Sequence, residues 1–275
     1  MNDAILLMWK PLLACLVLTG IHAYLGIHVI ERKVIFVDLA LAQIAALGAT
    51  VAFLFGHDLH GPSTYWFSLA ATFAGAIIFS LTRMRRERIP QEAVIGIVYA
   101  VSAAAAILIL SRTAEGDEHI RYLLVGNILL VTLPEIIKMA VLYGLVGLLH
   151  WRLRKEFTLI STSPEEAYAK GIPVKKFDLL FYLTFGLVVT SSVRIAGVLL
   201  VFSFLIVPAV AATLFFQNFS SRLLMGWAVG FAASLLGVLL SYYFDLPTGA
   251  TVVCSFGGLL VLCSLACRIR KNSYN

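Results

Sequence analysis

The stretch Ala196-Gly-Val-Leu-Leu-Val-Phe-Ser-Phe-Leu-Ile-Val-Pro-Ala-Val-Ala-Ala-Thr-Leu-Phe-Phe216 runs for 21 residues without a charged side chain. A hydrocarbon core about 30 Å thick takes roughly 20 helical residues to cross. With no water there, backbone N–H and C=O groups must pair within the segment, which makes a spanning helix the expected form. Segments of the same kind follow one another along the chain, at 12–30, 34–55, 65–82, 91–110, 133–149, 177–193, 196–216, 223–243 and 249–267. That makes nine spans, with eight as the alternative. The least certain boundary is Ser191-Ser-Val-Arg194, where a single charge cuts a long apolar stretch and marks either a tight turn or a broken helix.

Composition excludes a soluble domain. Of 275 residues, 60% are hydrophobic and 13% charged, and the mean hydropathy is +0.93. The net charge of +6 does not signal nucleic acid, because Lys and Arg sit at the ends of apolar segments and form no patch. Alternating the loops between the two sides gives one side 16 basic residues, among them Arg32, Arg83, Arg152, Lys170 and Arg268. The other side receives 4, Lys10, Arg112, Arg121 and Arg194, with Lys138 inside a span. Cytoplasmic flanks carry the excess, so the C-terminus is expected in the cytoplasm and the N-terminus outside. The expected architecture is an all-α, polytopic integral membrane protein, a single transmembrane domain over residues 1–275.

Cys15, Cys254, Cys263 and Cys267 all fall in apolar segments without a CxxC spacing, so neither a disulfide framework nor a zinc cluster is expected. Lys10 follows Ile5-Leu-Leu-Met8, so no positive n-region precedes an apolar run and no cleavable signal peptide is read. The outer loops carry His57, Asp58, His60, Glu115, Asp117, Glu118, His119 and Asp245. Such a weakly acidic rim attracts cations, although ordinary polar loops have the same composition.

The longest connection on the basic side, His150 to Lys176, contains Ser161-Thr-Ser-Pro-Glu-Glu-Ala-Tyr-Ala-Lys-Gly-Ile-Pro173. Ser163 suits an N-cap, Pro164 the first helical position, Glu165 and Glu166 the positive helix end, and Gly171 a stop before Pro173. A two-turn helix outside the membrane is expected. By composition alone it is a connector with no partner.

Glu165-x-Ala167-x-x-x-Gly171 resembles the Glu-Ala-Ala-x-x-x-Gly loop of binding-protein-dependent ABC permeases. Further segments occur in compatible order: Glu92-Ala-Val-Ile-Gly96, Tyr122-Leu-Leu-Val-Gly126-Asn127, Arg194-Ile-Ala-Gly197 through Pro208-Ala-Val-Ala-Ala212, and Asp245-Leu-Pro247-Thr-Gly249. Over nearly the whole chain these are similar to the permease family of zinc, manganese and iron importers. The resemblance implies a type II ABC importer-like fold with a cytoplasmic coupling helix at about 161–173, built around Ser163, Pro164, Glu165, Glu166, Ala167 and Gly171. It also implies a second copy of the chain, an ATPase homodimer that binds the ATP, an external metal-binding protein and an inner-membrane location. No cofactor bound by this chain and no enzymatic activity of its own are expected.

Ionisable residues at membrane depth are costly and functional by default. Asp38, in Phe36-Val-Asp38-Leu-Ala-Leu-Ala-Gln43, is the best candidate, about one turn inside the second span. The family usually carries an Asp and a His four residues apart here. Aligned on Gly48, those positions fall on Leu39 and Gln43, so the usual pair is not intact. Asp38 and Gln43 lie about 140° apart on an α-helix, and only a π-bulge would bring them together. The expectation is metal passing with weak or water-mediated contacts from Asp38 and Gln43, with Glu92 at the inner mouth or simply in a helix first turn. His22 and His28 are ligand candidates that suit packing equally well, and Glu135 has Lys138 three residues on as a partner. Pro208 would kink its helix, and Gly197 and Gly237 permit close approach, features of a bundle that rocks between two access states.

The alternatives are an ABC permease for metal chelates such as siderophores or cobalamin, and a secondary transporter driven by an ion gradient. An intramembrane enzyme would need a nucleophile with a base or an HExxH motif, and the sequence holds neither constellation.

Overall fold

The computed structural model describes residues 2–58, 61–83, 89–111 and 126–272. His60, Glu115, Asp117, Glu118, His119, Arg112, Arg121 and the motif residues 122–125 lie outside them. The described residues form helices and connecting turns, with no strand among them. In chain order the α-helices are α1 (Asn2–Glu31), α2 (Val37–Leu54), α3 (Pro62–Thr82), α4 (Gln91–Leu110) and α5 (Leu133–Arg152), a 3-10 turn (Ile128–Leu130) preceding α5. There follow α6 (Arg154–Thr162), α7 (Pro164–Ala169), α8 (Val174–Ala196), α9 (Val198–Phe215), α10 (Phe219–Phe244) and α11 (Thr248–Asn272). Among the described residues nine helices are long and apolar enough to cross a membrane, and they coincide with the nine segments read from hydropathy.

Three local expectations are corrected. Helix α1 begins well before residue 12, so Lys10 lies within it, its ammonium 5.8 Å from the Trp9 ring. The apolar stretch at Ser191–Arg194 stays helical, and the chain breaks instead at Gly197, with φ 77° and ψ 161°. That backbone region is essentially open to glycine alone. The connection before α8 holds two helices rather than one, α6 and α7, separated by Ser163.

The chain divides into two compact units. One comprises Met1–Ile30, Val125–Gly144 and Ile195–Asn275; the other comprises Glu31–Leu124 and Leu145–Arg194. In the first, α9, α10 and α11 pack on one another. A Cβ on Gly237 of α10 would lie 2.5 Å from the Val252 Cα of α11, so the absent side chain sets how closely these helices approach. Phe204 meets Phe256 edge to face, centroids 4.9 Å apart. Pro208 is buried inside α9, which continues past it to Phe215.

In the second unit α2 packs on α3 and α4. Gly75 of α3 faces Ile44 and Leu41, and Gly48 of α2 faces the Phe67 carbonyl. Helix α8 contributes buried Phe181, Tyr182 and Phe185. Thr190 shares a 2.9 Å hydrogen bond with Thr72 of α3, beside Gly186, where a Cβ would crowd the Thr72 methyl.

Candidate functional site

Helix α7 is six residues long, and its C-terminal turn is closed by a Schellman motif. The Gly171 N–H donates to the Tyr168 carbonyl at 3.0 Å and the Ile172 N–H to the Ala167 carbonyl at 3.1 Å, with Gly171 at φ 71°. Ala167, Ile160 and Val174 form a buried apolar cluster, with Ile172 and Tyr168 packed against it. This leaves Glu165, Glu166, Ala169 and Lys170 exposed on the outer face, with Lys170 paired to Glu166 at 2.7 Å. Ser163 occupies the N-cap position and its carbonyl accepts from Ala167, but its side chain caps nothing. Pro164 at the first position already removes one unsatisfied donor.

The acids sit at helix starts. Asp38 is in the first turn of α2, not a turn inside it, and is 2% exposed. The amides of Asp38 and Leu39 lie against its carboxylate, the arrangement favoured at a positive helix end. Glu92 is in the first turn of α4, and its Oε1 accepts the Phe36 N–H at 2.9 Å. It therefore closes the backbone just ahead of α2, whose N-cap residue has no capping side chain of its own. Asp38 and Glu92 are near enough to interact electrostatically. Asp38 Oδ1 and Glu92 Oε2 are both buried without a hydrogen-bond partner. Two unpaired carboxylate oxygens in one buried place are expensive unless a proton, water or cation visits them.

Gln43 does not join them. Helix α2 is regular α-helix from Val37 to Leu54 with no π-bulge, so Asp38 and Gln43 point to different faces. Among the described residues no three His, Cys, Asp or Glu side chains gather as a metal site. The pair leaves two oxygens, Asp38 Oδ1 and Glu92 Oε2, without a hydrogen-bond donor. His22 uses Nδ1 on its own helix, donating to the Leu18 carbonyl at 2.8 Å, with Tyr143 edge-on at 6.0 Å. His28 packs between Tyr24 and Phe219. Glu135 accepts the Thr132 N–H and hydroxyl at 2.9 and 2.7 Å and so ties down the backbone at the start of α5. Asp245 takes the left-handed C-cap of α10. The Asp58 carbonyl accepts from Thr64 and Gly61 and shapes the turn before α3.

One cluster was not foreseen. Arg32, counted above only as a topology charge, is buried; its Nε donates to Ser161 Oγ of α6 at 2.9 Å and its Nη1 to Asp178 Oδ1 of α8 at 2.6 Å. Arg83, just past α3, donates to the same Asp178 oxygen. The Arg32 guanidinium lies 4.0 Å from the centroid of the Phe181 ring. Burial pushes its pKa below the ordinary guanidinium value while Asp178 pulls it back, and the group stays a cation. Gln91, at the start of α4, donates to the Phe79 carbonyl at 2.9 Å and to the Tyr182 hydroxyl at 3.1 Å. The available signal was Asp178 itself, an isolated acid opening a span on a basic flank.

The described residues make a polytopic helical membrane protein with a short C-capped helix between two spans and buried acids at helix starts. The chain belongs to the ABC 3 transport family, which matches residues 4–267. Among its relatives, the chelated iron transport system membrane protein YfeD of Yersinia pestis is 26% identical over 248 residues, covering 90% of this chain and 80% of that one. The manganese transport system membrane protein MntC of Listeria monocytogenes is 27% identical over 249 residues, covering 89% and 85%. In fold the chain is similar to PsaBC from Streptococcus pneumoniae, solved in complex with Fab, at a TM-score of 0.78 and 22% identity over 95% of this chain and 93% of that chain.

Proposed function

We propose that this chain is the membrane-spanning subunit of an ATP-driven importer that moves divalent metal ions, zinc, manganese or iron, across the bacterial inner membrane. The observation that carries the proposal is the family match across residues 4–267, nearly the full span set. Relatives named for manganese and for chelated iron support a transition-metal cargo. Two copies would form the pathway, an ATPase homodimer would dock on the outer face of α7, and an external binding protein would deliver the ion. The excess of basic residues on one side, 16 against 4, supports a cytoplasmic C-terminus and α7. The Asp38 and Glu92 carboxylates would give the ion a weak stop, which release requires.

The test is uptake by proteoliposomes holding the complete complex, with ⁵⁴Mn, ⁶⁵Zn and ⁵⁵Fe(II) offered in turn. Uptake that needs ATP and the ATPase subunit is expected for at least one. Uptake driven by an ion gradient without the ATPase would overturn the reading in favour of a secondary carrier. Asp38→Ala is expected to lower uptake about tenfold while the protein still assembles, because the pair loses one of its two carboxylates; unchanged uptake would remove Asp38 from the path.

A second prediction concerns α7. Gly171→Pro forbids φ 71° and removes the N–H that closes the Schellman motif. Transport is expected to fall about tenfold or more through loss of the docking surface, at a local cost of ~3 kcal/mol. Glu165→Arg, exposed and free of the apolar cluster, is expected to weaken ATPase capture with no change in thermal midpoint. Normal co-purification of both variants with the ATPase would argue against docking there.

A further inference from the structure

The short helix α7 is flanked in sequence by Ser161 and Asp178, and a single side chain holds both flanks. We propose that Arg32 is the positioning residue that ties α7 to the Asp38 and Glu92 carboxylates, so that movement imposed on α7 reaches the place where the ion passes. The inference rests on the importer reading above.

The physical chain has four links. First, α6, α7 and the start of α8 are one block. Ile160, Ala167 and Val174 share a buried cluster. Phe157 of α6 stacks on His150 at 4.3 Å, and His150 is hydrogen-bonded to Thr184 of α8 at 2.8 Å. Second, Arg32 grips that block at two points, through Nε and Nη1, with Phe181 beneath its plane. Charge-assisted bonds in a buried setting are strong and directional. Third, Arg32 connects to α2 through only Lys33–Phe36, and a left-handed Lys33 (φ 56°) and a Val37 N–H to Val34 carbonyl bond at 3.1 Å make that link a tight turn. Fourth, the turn ends at Phe36, whose N–H is held by Glu92, and Asp38 is the second residue of α2. A shift of α7 is thus delivered to Glu92 at Phe36, four residues beyond Arg32, and to Asp38, six residues beyond it.

Simple neutralisation of Asp178 does not require Arg32. Arg83 already donates to the same Oδ1, and burying a second cation carries its own desolvation cost. What Arg32 provides beyond that is the simultaneous hold on Ser161 and Asp178.

The experiment uses the full complex in proteoliposomes and reads three quantities: thermal midpoint, ATP hydrolysis, and metal taken up per ATP, with manganese(II), zinc(II) and iron(II) as probes. Arg32→Lys keeps a cation beside Asp178 but lacks the rigid fork that reaches Ser161 as well. ATP hydrolysis is expected to stay within about twofold of wild type while uptake per ATP falls about tenfold. Ser161→Ala deletes only a hydroxyl and is expected to lower uptake per ATP about two- to fivefold. If Arg32→Lys does not assemble, Ser161→Ala decides. Uptake per ATP equal to wild type in the assembled variants would overturn the tie, as would hydrolysis and uptake falling in proportion. A wild-type complex with no ATP-dependent uptake of any probe would overturn the importer reading, and this inference with it.

Discussion

Asp178→Ala is expected to deplete the folded protein from the membrane. Its Oδ1 accepts from Arg32 and Arg83, whose side chains are 0% and 11% exposed, while its own is 2% exposed. Removing the carboxylate leaves two guanidinium groups in one buried place with no counter-charge between them. Breaking a buried pair by deleting one partner costs about 3–5 kcal/mol, and here two cations lose their partner at once. Ser161 would still accept from Arg32 Nε, but a neutral hydroxyl does not offset charge. The thermal midpoint in detergent and the membrane abundance are expected to fall well below wild type. Replacing Asp178 by alanine together with Arg32 and Arg83 by methionine should recover much of the loss, since an apolar substitute for a buried ionic cluster is often neutral or better. A single variant as stable as wild type would mean that water reaches this cluster freely.

Gly126→Ala is the second. Gly126 sits at φ 63°, and a Cβ there would overlap the backbone of Ala196 and Gly197, where the chain turns from α8 into α9. The adjacent Asn127 N–H donates to the Ile195 carbonyl at 3.2 Å, so the two backbones are bound face to face. The obstacle is main chain, not the end of a flexible side chain, so the overlap can be relieved only by moving the junction. Gly197 cannot absorb that movement cheaply, because its own φ of 77° and ψ of 161° are already confined to glycine. A left-handed alanine costs ~1 kcal/mol or more, and overpacking against fixed structure ~1–3 kcal/mol. A total of about 2–4 kcal/mol is expected as a drop in thermal midpoint. Gly197→Ala, at the same junction, is expected to strain its own backbone at that φ and ψ. A thermal midpoint unchanged by Gly126→Ala would show that the close approach to Ala196 and Gly197 is not what fixes this junction.

These effects separate two kinds of information. The nine candidate spans among the described residues were legible because hydropathy belongs to consecutive residues, and a bilayer acts on a segment as a unit. Gly171 as the stop of α7 was legible for the same local reason, since a left-handed C′ position followed by proline is written in adjacent residues. Ser163 was legible as a boundary but not in its detail: with Pro164 next to it, one donor is already missing and its hydroxyl makes no capping bond.

The candidate site was legible only in part. Asp38 stood out because an acid inside an apolar run is conspicuous. That Glu92 is its neighbour required α2 and α4 to pack start beside start, which a separation of 54 positions in sequence does not reveal. Arg32 reads as one more basic flank residue until Asp178, 146 positions later, is brought to it at 2.6 Å. Gly126 looks like any loop glycine until Ala196 and Gly197 lie against it. The sequence by itself thus determined where the apolar helices long enough to span a bilayer lie and where the short capped helix falls, because those follow from short-range chemistry. Only the tertiary structure decided which polar groups are buried together, because low dielectric and close packing act on groups that are near in space, whatever their separation along the chain.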